Sequence, residues 1–131
     1  MSRENVELAR RWAEGLNSRD LNALDRLAHD DYEFHAPGTT GGGIYRGVDA
    51  VRRWAEGFFD AWQAYSVEVE RIIESGETVV VLAHARAEGK ASGVTLDAPR
   101  AYVHTIRDGR LARTRVFNDH TDALEAVGLR E

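Results

Sequence analysis

The chain predicts an α+β fold with its helices first and a run of antiparallel strands after them. Three observations carry this. Apolar residues recur at helical spacing along the first third and again from Val51 to Trp62. After Tyr65 the period drops to two, with Val67 and Val69 alternating with Glu68 and Glu70. The run Arg107-Asp108-Gly109-Arg110 then supplies a strong hairpin signal between two alternating segments.

Each element has its own justification. Ser2 can cap a first helix, with Glu4 in its first turn. Val6, Ala9, Ala13 and Leu16 form its apolar stripe, which Leu8 and Trp12 widen. Asn17-Ser18-Arg19 reads as a turn, and Asp20 caps a short second helix bearing Leu21, Leu24 and Leu27. A strand then enters the Pro37-Gly38 turn. Thr39 to Gly43 reads as a flexible loop, a lid at the mouth of a cavity. The third helix follows Gly47 and is the most apolar of all, fit to cover one face of a sheet. Glu74-Ser75-Gly76-Glu77 turns the chain into a long strand, Thr78 to Ala87. Further strands cover Ala98 to Ile106 and Leu111 to Asn118, and Thr121 to Val127 closes the chain as a short helix.

At 131 residues the chain suits one domain with a single core. It has no cysteine, which leaves out disulfides and thiolate zinc sites and fits a cytoplasmic setting. No run approaches a membrane span. The net charge is −5, whereas a nucleic-acid binder normally carries a basic face. No membrane or nucleic-acid partner is therefore expected.

The segments Glu4 to Phe34, His35 to Gly38, Tyr45 to Trp54, Val103 to Thr114 and Asp122 to Leu129 come in a particular order and spacing. In that order the chain resembles the SnoaL-like, ketosteroid isomerase-like branch of the NTF2-like superfamily. The resemblance implies a cone: a curved antiparallel sheet covered by three helices, with a short C-terminal helix. It also implies a back-to-back homodimer. It does not fix an activity, because this fold hosts isomerases, cyclases, dehydratases, hydrolases and non-catalytic adaptors. Three positions matching the isomerase catalytic groups hold Trp12, Ala36 and Ala101. Proton shuttling between carbons needs a carboxylate and donors that hold the enolate. The usual isomerase mechanism is thus not expected, and the position matching the cyclases' acid is Val116.

Chemistry is then sought on the sheet. On the strand Thr78 to Ala87 one face reads Val79, Val81, Ala83, Ala85, Ala87 and the other Val80, Leu82, His84, Arg86. By analogy with the isomerases the second face meets the cavity. His84 is the candidate proton carrier, with Arg86 and Asn118 as electrostatic partners. The small-residue face would serve dimerisation, and His104, Tyr102 and Ile106 would share that outer side. Trp12, Phe34, Ala36, Trp54, Phe58, Leu82, Ala101, Val103, Thr114 and Val116 are the candidate ligand-binding residues. Asp119, His120 and Asp122 read as first-turn residues of the last helix rather than metal ligands, and no metal or other cofactor is expected. The resulting expectation is a binder of a small hydrophobic, carbonyl-bearing molecule. If catalytic, it would be a cofactor-free acid/base isomerase, cyclase, dehydratase or hydrolase. The alternative is a non-catalytic ligand-binding or assembly module whose cavity is filled by Trp12 and Trp54.

Overall fold

A computed structural model of the chain describes residues 2–36, 42–91 and 93–129. Helix α1 (Ser2–Ser18) and the short α2 (Ala23–Leu27) lead into strand β1 (Ala28–Ala36). Strand β2 (Gly43–Arg46) and helix α3 (Val48–Ala61) follow, and the chain then forms β3 (Trp62–Ser75), β4 (Thr78–Gly89), β5 (Thr95–Arg107) and β6 (Arg110–Phe117), closing with α4 (His120–Ala126). The strands make one curved, unclosed sheet in the order β2-β1-β6-β5-β4-β3. Every neighbouring pair is antiparallel except β1 and β6, which run parallel. The α+β class, the helices and the four long later strands follow the sequence reading.

Some boundaries move. Strand β2 was not expected; Gly43 and its successors pair with Ala36 to Glu33 instead of forming only a loop. The Pro37-Gly38 turn and residues 39–41, the expected lid, lie outside the described residues. Trp62 leaves the third helix and begins β3. Helix α1 runs through Asn17 and Ser18. The Asn17 amide is what the turn reading missed: its Nδ2 donates to the Val67 carbonyl at 3.0 Å and its Oδ1 accepts from the Val67 N–H at 2.7 Å. A side chain so placed satisfies the open backbone of edge strand β3 as another strand would. Asp20 accepts from the Asn22 N–H at 3.0 Å, fastening the turn before α2 rather than capping the helix itself. Asp119 does cap α4, through the Asp122 N–H at 2.9 Å.

The sheet is covered on both faces. On one, α1, α2 and α3 bury Val79, Val81, Ala83, Ala85 and Ala87 of β4 together with Tyr102 and Ile106 of β5. On the other, α4 covers a smaller patch, Val80, Leu82, Ala101 and Val103, with Ala123 and Leu124. The expected orientation of β4 is therefore reversed. The small-residue face, expected to pair with a second copy, is spent on the chain's own helices. The alanines leave room beneath α3 for the large rings of Phe58 and Tyr65, which meet edge to face at 4.8 Å. Beyond the reach of α4 the outward residues of β4 turn polar: His84 is half-buried, and Arg86 and Glu88 are exposed.

Candidate functional site

The face under the three helices carries a pocket of about 800 Å³, its open mouth included. Helix α1 contributes Trp12, Gly15 and Leu16, and the turn after it Asp20 and Leu21. Helix α3 presents Val51, Arg52, Trp54, Ala55, Phe58 and Phe59. The sheet closes the floor with Phe34, Tyr65, Arg100, Tyr102 and Val116. Stacking fixes the aromatic wall: Trp54 lies on Phe58 at 5.0 Å and 20°, and Phe34 packs against Trp54 at 4.8 Å. Trp12 leans on Tyr102 at 4.9 Å. These rings have helical spacing on α3 and alternating spacing on the strands, which is why one wall gathers them.

Polar groups on the lining are few. Arg52 donates to Asp49 at 2.9 Å and to Asp25 at 2.5 Å. Asp20 pairs with Arg26 at 2.9 Å, and the Arg26 guanidinium together with the Asn22 N–H holds its carboxyl below the usual value. Arg100 differs from both. It is only 7% exposed, donates from Nη1 to the Pro99 carbonyl at 2.8 Å, and reaches the Tyr65 hydroxyl. The Tyr102 hydroxyl neighbours that of Tyr65. Burial pushes both phenols up, so both stay protonated at any ordinary pH.

Behind the pocket lies a buried polar chain. Trp12 donates to the Tyr32 hydroxyl, which donates to Thr114 Oγ1 at 2.6 Å. Thr114 in turn contacts His104 Nδ1 at 2.7 Å. His104 is fully buried, its Nε2 has no hydrogen-bond partner, and burial pulls its pKa from 6.5 down to about 3. The ring is therefore neutral at ordinary pH and packs edge to face with Trp12 at 4.8 Å.

The candidate residues divide accordingly. Trp12, Phe34, Trp54, Phe58 and Val116 lie on the pocket lining. Thr114 faces the same side but is committed to Tyr32 and His104. Ala36 packs at the edge of that core and is absent from the lining. Leu82, Ala101 and Val103 point the other way, into the layer under α4, which corrects their expected place. His84 and Arg86 are likewise outside the pocket. His84 pairs with Asp97, whose carboxyl that hydrogen bond holds down, and Arg86 reaches Glu68 at 3.3 Å. They form a surface ion-pair cluster, not a proton carrier aimed at a cavity. Asn118 is exposed just past β6. His104, expected on the outer side, is inside, because it sits opposite Val79 on β4 and Thr114 on β6. Sequence reasoning missed Arg100, Tyr102 and Tyr65. The signal was available in the two-residue period of β5, where Arg100 and Tyr102 alternate with Ala101 and Val103. Among the described residues no group of three or more histidines or carboxylates could hold a metal ion.

Residues 9–114 match the SnoaL-like domain family. Among curated proteins none matches the chain. Solved structures share the fold at low identity. TerC, co-crystallised with polyporic acid, is 23% identical, with a TM-score of 0.79 over 95% of this chain and 97% of its own. A ketosteroid isomerase-like fold protein from Catenulispora acidiphila, in complex with trimethylamine, is 18% identical, with a TM-score of 0.78 over 95% and 94%. An NTF2-like protein of unknown function from Burkholderia pseudomallei is 22% identical, with a TM-score of 0.80 over 95% and 98%. No helix among the described residues is long and apolar enough to cross a membrane.

Proposed function

We propose, from the premise that the chain belongs to the SnoaL-like domain family, that it binds a flat, largely apolar small molecule through an oxygen atom. The single observation that carries this is the composition of the pocket: aromatic and aliphatic walls, with hydrogen-bond donors gathered at Tyr65, Arg100 and Tyr102. Apolar walls supply burial and a few convergent polar groups supply orientation. A ligand carbonyl would accept from the Tyr65 O–H or the Arg100 fork, while its ring system stacks against Trp54 and Phe58. TerC with polyporic acid and the Catenulispora protein with trimethylamine are instances of small molecules on this fold.

Binding is favoured over proton-shuttling catalysis on a specific ground. Asp20 is the lining's one carboxylate among the described residues, and Arg26 already holds it. The remaining groups polarise an oxygen without accepting a carbon-bound proton. A homodimer would use the outer face, where His84, Asp97, Arg86 and Glu68 lie. Light scattering at micromolar concentration tests it: a dimer that weakens with added salt supports that surface, and a clean monomer removes the partner.

The binding reading is tested with 2-acetylnaphthalene, a flat neutral ketone, by titration calorimetry. The expected result is saturable one-to-one binding that Ala55→Phe abolishes by filling the pocket. No heat, or binding untouched by Ala55→Phe, would refute the reading.

A further inference from the structure

We infer that the pocket's ligand is an anion, an aromatic carboxylate or a comparably acidic enol, and that Arg100 is its counter-ion. The inference rests on the binding reading above and adds the charge of the ligand to it.

The formal charges on the lining are those of Asp20, Arg52 and Arg100. Asp20 is matched by Arg26, and Arg52 by Asp25 and Asp49. Arg100 has no carboxylate within 4 Å among the described residues, although its nearly complete burial makes it the one that most needs a counter-ion. A guanidinium cannot escape by losing its proton. Its neighbours offer only oxygens that stay neutral, the Pro99 carbonyl and the Tyr65 hydroxyl, whose protons burial retains. The pocket therefore holds one buried positive charge without a partner, at the end where the donors converge. A buried charge stripped of its partner is costly, and a carboxylate placed against it recovers that cost through charge-assisted, fork-shaped hydrogen bonds. Tyr65 completes the receptor. Its hydroxyl lies beside the Arg100 guanidinium on the same lining and can donate to the same ligand oxygen. A neutral ketone would satisfy that O–H alone; an anion satisfies the O–H and the charge together.

The experiment compares 2-naphthoate with methyl 2-naphthoate, equal in ring and differing in charge, on the full chain by titration calorimetry at neutral pH. The expected result is at least about tenfold tighter binding of the carboxylate. Arg100→Met should erase that preference, bringing the two probes to within about twofold of each other, and Arg100→Lys should keep part of it. A thermal melt separates a receptor from a structural strut. Removing an unpartnered buried charge should leave the melting temperature of Arg100→Met equal or higher, and a fall would assign Arg100 to the scaffold and overturn the inference. Tyr65→Phe, which keeps the ring and the charge, provides a second variant and should weaken the carboxylate several-fold. Equal affinity for the two probes, or a carboxylate preference that survives Arg100→Met, overturns the inference while the binding reading stands. Binding of neither probe overturns both.

Discussion

Arg100 and Arg86 are two residues of one type on adjacent strands, and the sheet gives them opposite lives. Arg86 stands outside with Glu68, screened by solvent, where such pairs contribute little. Arg100 sits inside with two neutral oxygens. Register decides this, because Ala83 faces Arg100 across the β4–β5 ladder and Ala83 points under the helices. The same reasoning predicts that His84→Ala and Arg86→Ala leave affinity for a pocket ligand within about twofold and stability within about half a kcal/mol, as for most surface substitutions. Calorimetry and a thermal melt on the two variants check it. A large loss of binding would return the site to the outer face.

At the scale of elements, the junction of α1 with α2 shapes one wall of the pocket. A Cβ on Gly15 would stand 2.9 Å from the Cβ of Ala23, closer than packed carbons tolerate. Gly15→Ala usually gains helix propensity, on the order of 1 kcal/mol. Here we expect the opposite sign, a loss of about 1–3 kcal/mol, because α2 must move away and neither methyl can bend aside. Denaturant unfolding of the variant decides between the two signs. How much was legible also differs by element. The helices and the β5–β6 hairpin could be read because period and turn chemistry are local. The inner face of β4 could not. Val79 to Leu82 is apolar on both sides, since α4 covers the outside and α1 the inside there. The polar pair His84 and Arg86 therefore marked where the outer cover ends, and analogy took it for a site. Trp12, Phe34, Trp54 and Phe58 were legible as a wall because bulky rings on covering elements have few other places to go. Arg100 was hidden by its neighbour: Ala101 matches the catalytic position of the resembled family, but the alternation of β5 turns Arg100 inward and Ala101 under α4.

For the molecule as a whole, the buried His104 sets a response to acid. Above pH 6.5 its ring is neutral in both folded and unfolded chains, so no proton is exchanged on unfolding. Between 6.5 and about 3 only the unfolded chain takes the proton. Stability should therefore fall as pH drops below 6.5, by up to about 1.4 kcal/mol for each pH unit from this one group. His104→Gln can hydrogen-bond Thr114 as donor or acceptor but does not titrate. Urea unfolding of both proteins from pH 7.5 to 4.5 should show the variant's slope shallower by one proton, and identical slopes would refute the assignment.

One further consequence follows from the parallel pairing of β1 with β6, whose side chains Tyr32 and Thr114 bond across 82 residues of sequence. During synthesis β1 leaves the ribosome early and meets β2 at once, but its other edge must wait for nearly the whole chain. Contacts so distant in sequence make closure slow. The pocket takes Phe34 from β1 and Val116 from β6, so it is finished last. A nascent chain stalled before Arg110 would expose its aromatic wall and an unpaired strand edge, a surface that chaperones rather than ligands would find first.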